Sequence, residues 1–156
     1  MTVIALTTFI TVLDARGTVQ HRFQNSNPGS TITLDDAGHP FLPFLYSGAA
    51  KNRTGDNLEA ELVLASNALA MNYAVEAVRN KWTVQVVQCS MNPNDFSVGR
   101  KLTIETWLAA NLSYDPERIN VQLSSGIDAV GATAPSKTLT TKLVGALPLT
   151  GSISNR

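Results

Sequence analysis

Alternation of apolar and polar residues at a period of two is the sequence feature that most limits what this chain can fold into. It is clearest in residues 81–90, where Trp82, Val84 and Val86 fall on one side and polar side chains on the other. Successive side chains of a β-strand point to opposite faces of a sheet, so this segment predicts a strand with one buried face. Because similar segments recur along most of the chain, we predict a mainly β or α+β fold.

Turn-forming residues separate the other predicted strands. The chain opens with a predicted hairpin, in which residues 14–17 form the turn between strands at 3–13 and 18–23. Residues 35–40 contain Asp, Gly and Pro and predict a further turn. The remaining strands are predicted at residues 31–34, 59–65, 99–112 and 119–123.

Residues 41–46 carry large apolar side chains but include Pro43. Proline has no amide proton to donate to a neighbouring strand, which restricts such a segment to the edge of a sheet or to an extended strip. We therefore predict an edge strand here, followed by an exposed loop.

Only residues 68–79 show a convincing helical periodicity. Ser66 or Asn67 can cap this helix by accepting a hydrogen bond from its first amides, and Arg79 and Asn80 supply signals for its end. The apolar stripe that faces the sheet is predicted to consist of Met71, Val75 and Val78.

Charge is sparse and balanced over the 156 residues. Twelve Lys and Arg face twelve Asp and Glu, and 15% of residues are charged, against about 25% in a typical soluble domain. Without a basic excess, the composition argues against specific nucleic-acid binding and against a membrane-surface protein. The short apolar N-terminal stretch predicts neither a signal peptide nor a spanning helix. Weak repulsion between copies favours self-association.

The length is that of one domain, which we predict to span residues 1–156. Residues 126–156 are rich in small residues, Thr and Pro and lack regular periodicity. We expect them to form an extended C-terminal arm.

Residues with catalytic potential are few and follow no known catalytic motif. His21 is predicted to lie on the outer face of a strand, where it is solvated. His39 follows Asp35 and Asp36, for which capping of a turn is a commoner role than binding a metal. Cys89 is the only cysteine and is predicted to be a small core residue. We therefore expect no enzyme activity, no metal and no cofactor.

The order of elements from Phe44 onward resembles the N-terminal part of the tail-tip proteins of long-tailed bacteriophages, the family that includes the minor tail protein L of phage lambda. The segments that carry the resemblance are residues 61–67 before the helix, 82–87 after it, 102–107, 119–125, 127–128 and 135–148. Lambda-type members continue into a cysteine-rich region that resembles an iron–sulfur domain. This chain has only Cys89, so the resemblance implies no cluster.

The resemblance implies a tail-tube-like antiparallel β-sandwich or split barrel with one flanking helix. It also implies a ring, a trimer or hexamer of this chain, that contacts the tail tube and hub proteins. Such a protein is made in the cytoplasm of the host bacterium and resides in the tail tip or baseplate of the virion. The candidate interface residues are Phe41, Phe44, Leu45, Leu143, Val144 and Leu147.

Two other readings of the sequence stay open. A head–tail connector or capsid-associated protein of a phage would share the low charge and the extended arm. A β-barrel that binds a small ligand would instead be a stable monomer with an internal cavity. The oligomeric state distinguishes the ligand-binding barrel from the assembling proteins.

Overall fold

The computed structural model describes residues 4–48 and 59–126. Within these residues the chain forms nine β-strands and one α-helix. The elements are β1 Ala5–Leu13, β2 Val19–Gln24, β3 Ile32–Leu34, β4 Ala37–His39, β5 Phe44–Ser47, β6 Glu59–Ala65, α1 Ala68–Arg79, β7 Thr83–Met91, β8 Val98–Tyr114 and β9 Arg118–Ser124. The predicted C-terminal arm lies outside the described residues.

Seven of the strands form one antiparallel sheet in the order β2-β1-β7-β8-β9-β6-β5, and β3 and β4 form a separate two-stranded sheet. The prediction of a mainly β fold with a single flanking helix is confirmed. The large sheet does not close into a complete barrel, because β2 and β5 are not paired as strands. The edge position predicted for the Pro43 segment is also confirmed, since β5 ends the sheet.

Hydrogen bonds within the turn stabilise the opening hairpin. The carboxylate of Asp14 accepts hydrogen bonds from the amides of Arg16 at 2.8 Å and Thr18 at 2.9 Å. These bonds to the ionised form lower the pKa of Asp14, foremost the one from Thr18. Gly17 has a φ of 80°, which glycine adopts without steric cost. The hairpin therefore forms where the sequence predicts it.

Helix α1 begins and ends at the predicted residues. Asn67 caps it, because its side-chain oxygen accepts from the amide of Ala70 at 2.8 Å. The buried face consists of Ala70, Ala74 and Ala77. Of the predicted stripe, Met71 and Val78 are partly buried against the core, but Val75 is wrongly placed, since it is 41% exposed. Small alanine side chains let the helix lie close to β8 and β9, and larger residues flank that contact.

The main core lies between α1 and one face of the large sheet. Its buried side chains come from the sheet strands, the helix and Leu42. They are Ile10, Val12, Leu42, Phe44, Ala60, Leu62, Leu64, Ala70, Ala74, Ala77, Val84, Val86, Trp107, Ala109, Ile119, Val121 and Leu123. This core holds the helix against the sheet.

A second core lies on the reverse face of the sheet, beneath β3 and β4. It consists of Phe9, Ile32, Leu34, Val87, Cys89 and Met91. The prediction that β7 has only one buried face is therefore correct for the first half of the strand alone. In the second half, side chains on the other face are covered by the small sheet.

The turn between β3 and β4 is shorter than the sequence predicts. Asp35 and Asp36 both have positive φ, of 50° and 60°, and make a two-residue hairpin connection of the kind that matches strand twist. Residues 37–39 are consequently a strand, whereas we predicted only a turn over 35–40. Aspartate tolerates this left-handed conformation better than most residues.

Backbone hydrogen bonds tie β2 to the strip that precedes β5, and we call this contact the seam. The amide of Gln24 donates to the carbonyl of Pro40 at 3.0 Å, and the amide of Leu42 donates to the carbonyl of Gln24 at 2.9 Å. Asn25 adds a side-chain bond to the carbonyl of Phe44 at 3.4 Å. The two ends of the large sheet are thus brought together without a continuous strand ladder.

Gln24 is fully buried at the seam, and its side chain is completely hydrogen-bonded. Its Nε2 donates to the carbonyls of Asn27 at 2.7 Å and Ser30 at 3.1 Å. Its Oε1 accepts from the amides of Ser26 at 2.6 Å and Asn27 at 2.8 Å. A buried amide is tolerated only when its polar atoms are paired in this way, so Gln24 organises the loop after β2.

Strand β8 has 17 residues and is much longer than its neighbours. Its first part pairs with β7, from Val98 opposite Met91 to Leu108 opposite Thr83. Its last part pairs with β9, from Leu108 opposite Ser124 to Tyr114 opposite Ile119. No described strand pairs with residues 98–107 on the side away from β7, and we call this side the open edge.

Candidate assembly interface

The structure describes three of the six predicted interface residues, all near β5. Phe41 is half-buried and forms an isolated bridge with Gln24. Phe44 is 8% exposed and belongs to the main core, whereas Leu45 is 66% exposed. Leu143, Val144 and Leu147 lie outside the described residues. Of the three placed residues, Leu45 is the one whose side chain is available to a neighbour.

Leu45 lies on the last strand of the large sheet. It stands opposite Val63, which is half-buried, and Val63 stands opposite Asn120 on the next strand. These three residues occupy the same face because directly paired residues project together. Leu45 therefore ends a mixed apolar and polar row on the reverse face of the sheet.

A polar contact across the interior fixes the strand that carries Leu45. The Tyr46 hydroxyl donates to the carboxylate of Glu105 on β8. The indole Nε1 of Trp107 donates to the same carboxylate oxygen at 3.3 Å. Burial, followed by the hydrogen bond and charge of Glu105, raises the pKa of Tyr46 well above its usual range. The phenol therefore stays protonated, and β5 is held to β8.

Two large apolar side chains in the first part of β8, which we did not predict as interface residues, are exposed. Leu102 is 51% exposed and Ile104 is 57% exposed. Ile104 stands opposite Val87 of the second core, and Leu102 lies at a bulge where the ladder with β7 shifts register. Both are on the part of β8 that has the open edge. The length mismatch between the predicted strands 99–112 and 119–123 is the signal that could have indicated it.

His21 is not the solvated surface residue that we predicted. It stands opposite Val12 on the face that carries the main core and is half-buried. Its ring lies 4.2 Å from that of Tyr73 on α1 and 6.0 Å from that of Trp82. Desolvation lowers the pKa of His21, and the charge of Glu76 partly opposes the shift. The residue packs helix against sheet.

His39 and the two preceding aspartates do not converge on a metal site. His39 is buried, its Nδ1 is 2.9 Å from the carbonyl of Ala37, and its ring meets Phe9 edge-on. Asp35 instead forms an ion pair with Lys101. Within residues 4–48 and 59–126, no three His, Cys, Asp or Glu side chains are grouped to hold a metal ion.

Cys89 is completely buried in the second core. Burial raises the pKa of its thiol, so little thiolate is present near neutral pH. The residue is a small core side chain, as we predicted.

Two of the concave sites in the described structure bring no catalytic groups together. An open cleft of about 250 Å³ lies between the loops near Ser30 and Asp95. The carboxylate of Asp95 is engaged by Ser97, whose Oγ and amide donate at 2.7 and 2.9 Å. The second site is a cavity of about 40 Å³ between α1 and the sheet, lined almost wholly by apolar side chains.

A membrane-spanning role for α1 is not supported. Among the described residues, the structure contains no helix with the length and apolar character needed to cross a bilayer.

Comparison with known proteins identifies a similar fold. No protein-family model matches the chain, and a search of curated proteins finds no match. Among solved structures, the chain is similar to one described as "Virion of native gene transfer agent (GTA) particle", with 14% sequence identity and a TM-score of 0.52. The match covers 83% of this chain and 42% of the other, so this chain spans less than half of its neighbour's length. At this identity the similarity establishes the fold alone.

Proposed function

We propose that this protein is a structural component of a phage virion, located in the tail tip or baseplate, where copies form a ring that joins the tail tube to the hub. The observation that carries the proposal is the fold similarity to a chain of a gene transfer agent virion over 83% of the sequence. The resemblance in element order to tail-tip proteins supports the finer location.

The exposed apolar residues support assembly. Leu45, Leu102 and Ile104 are each more than half exposed although they lie on strands of the large sheet. The chain also carries no net charge, so electrostatic repulsion between copies is weak. Burial of these side chains against neighbouring copies removes apolar surface from water and stabilises a ring.

The oligomeric state of the purified full-length chain tests this function. We expect light scattering after size exclusion to give a trimer or hexamer, and electron microscopy to show rings. Leu45→Asp should weaken assembly because it places a charge in the contact. Leu69→Asp is the matched control, since Leu69 is 55% exposed but lies on α1. A folded monomer at high concentration would contradict the proposal.

The position in the virion is tested separately. Gold-labelled antibodies against the chain, applied to intact virions that contain it, should mark the distal end of the tail. Label at the junction of head and tail would replace the tail-tip location with the head–tail connector, which is the second structural reading.

A role as a small-ligand-binding barrel is disfavoured by the packing. Ligand sites commonly enclose about 300–1,000 Å³, whereas the cavity beneath α1 is about 40 Å³. The alanine face of the helix and the side chains of the sheet fill the space that a ligand would occupy in such a barrel.

A further inference from the structure

The open edge has the features of a binding surface for an extended backbone. Over residues 98–107, one side of β8 pairs with β7, and no described strand covers the other. Unpaired amide and carbonyl groups on a long strand are a template for another strand. The open edge spans about 30 Å at the usual rise per residue of a strand.

Side chains beside the open edge favour a partner with apolar residues. Leu102 and Ile104 are 51% and 57% exposed, and Ile104 adjoins Val87 in the second core. A strand added at the open edge would extend the sheet and place its own side chains against these two residues. Main-chain bonds then provide affinity, and the apolar contacts determine the register.

The sequence outside the described residues contains a segment with a composition typical of strands. Residues 138–144, Thr-Leu-Thr-Thr-Lys-Leu-Val, contain four β-branched residues among seven. In an extended segment, Leu139, Thr141 and Leu143 share one side. Thirty residues follow Gly126 in the sequence, so this segment is tethered to the end of β9.

The length of the tether argues for a neighbouring copy as the recipient. Strand β9 ends at Ser124 opposite Leu108, which places Gly126 near the start of the open edge. The twelve-residue step from Gly126 to Thr138 reaches about 40 Å when extended, which is more than the length of that edge. Residues 127–137 include Gly131 and Pro135 and are poor strand formers. A step of this length can therefore reach past the open edge of its own chain to that of a neighbouring copy.

We propose that the open edge of β8 binds residues 138–144 of a second copy of this chain as an added strand. The inference rests on the proposed ring, because it requires copies held side by side, and it identifies the contact through which they exchange arms.

Disulfide trapping between two different full-length variants tests the exchange. One variant carries Ile104→Cys, and the other carries Leu139→Cys, Thr141→Cys or Leu143→Cys, tested one at a time. After mixing and mild oxidation, a disulfide between the variants is intermolecular by construction. Cys89 does not compete because it is fully buried. We expect a mixed dimer for at least one of the three tail positions.

Gln122→Cys is the matched control for the open edge. Gln122 is exposed but lies on β9, which is paired on both sides by β6 and β8. It should give at least tenfold less mixed dimer than Ile104→Cys. Adding Thr140→Pro to the tail variant should abolish trapping, since proline removes an amide donor from the added strand.

Parallel light scattering separates the possible failures. Absence of a mixed dimer in samples that still form rings overturns the arm exchange but leaves the proposed function standing. If the protein is a folded monomer that forms neither the mixed dimer nor rings, the arm exchange and the proposed function are both overturned. A further variant carries Ile104→Cys and one of the tail cysteines in the same chain. If a disulfide forms within this variant and none forms between the mixed single variants, the exchange is overturned, because the arm then pairs with its own sheet.

Discussion

The seam and the open edge are two boundaries of the large sheet that differ in how their backbone groups are covered. At the seam, β2 meets residues 40–42 through backbone bonds, and the side chain of Gln24 satisfies four further backbone groups. At the open edge, residues 98–107 of β8 have no described strand beside them on one side. Among the described residues, the chain thus covers one boundary of its sheet with its own loop and places no strand beside the other.

The contrast shows that a buried polar group indicates how the chain itself folds, whereas exposed apolar groups indicate where it associates. Gln24 is 0% exposed and fully bonded, which is typical of a residue that specifies a single structure. Leu102 and Ile104 are apolar and more than half exposed, which is typical of a surface completed by association. The two regions should therefore respond in opposite ways to mutation and to assembly.

The largest effect is expected from Gln24→Leu at the seam. The substitution leaves four backbone groups without their hydrogen-bond partner and places an apolar side chain among them, which should lower the free energy of unfolding by about 4 kcal/mol. Urea denaturation monitored by circular dichroism measures the change. Gln122→Leu, on the exposed face of β9, is the control and should change stability by less than about 0.5 kcal/mol. Equal effects of the two variants would show that the hydrogen bonds of the Gln24 side chain do not stabilise the seam.

Hydrogen exchange compares the two regions without mutation. The amide of Leu42 is bonded across the seam and should exchange on the order of a hundredfold more slowly than amides that point outward from the open edge. In the assembled ring, the amides of the open edge should become protected, while that of Leu42 changes little. Unaltered exchange at residues 98–107 on assembly would show that no strand is added there.

Acid should weaken the region of the seam through His39. Burial lowers the pKa of this histidine below its value in the unfolded chain, with a smaller contribution from the charge of Arg22. The hydrogen bond to Ala37 and the charge of Asp35 oppose the shift. The unfolded state therefore binds the proton more readily, and stability is present above pH 6.5 and falls as the pH decreases through that value.

The test is the difference in melting temperature between pH 7.5 and pH 5.5. That difference should be smaller in His39→Gln than in the parent protein. His21→Gln serves for comparison and should have a weaker effect, because His21 is only half-buried. An unchanged difference in His39→Gln would mean that the folded protein accepts the proton at no cost.

The smallest effect on folding is expected at the open edge. The double variant Leu102→Thr with Ile104→Thr should change the free energy of unfolding of the dilute monomer by less than about 0.5 kcal/mol. The same variant should associate more weakly in light scattering. Leu62→Thr, at a position that is 6% exposed, should cost about 3 kcal/mol and calibrates the assay. A loss of similar size at the open edge would identify it as part of the core.

Local signals predicted much of the fold. The bounds of α1 and its cap at Asn67 follow from side-chain chemistry that acts over three or four residues. Strand β6 and the opening hairpin follow from alternation and turn residues in the same way. These features depend on residues that are close in the sequence, so they can be predicted without knowledge of the fold.

Features that depend on contacts distant in sequence were missed. The sequence places His21 on the wrong face of the sheet. It also places Val75 in the buried stripe of α1, because alanine is too weakly hydrophobic to indicate the buried face that it forms. The burial of Gln24 is not predicted, since a glutamine can be recognised as buried only when the loop that hydrogen-bonds its side chain is known. The sequence predicts a turn where β4 lies, because three residues are too few to show a period.

Among the candidate interface residues, exposure could not be inferred from residue type. Phe44 and Leu45 are adjacent and both apolar, and only the pairing of β5 with β6 assigns the first to the main core and the second to the surface. The open edge likewise depends on strand lengths and register. Leu143, Val144 and Leu147 remain predictions.

The offset pairing of β8 also has a mechanical consequence. Its 17 residues extend for about 56 Å, and a pull along its axis loads the ladders with β7 and β9 in shear, so that many hydrogen bonds resist together. Because the two ladders overlap only at Leu108, that residue is where force applied to one half of the sheet crosses to the other. Strand β8 thus joins the two halves of the sheet through one continuous backbone.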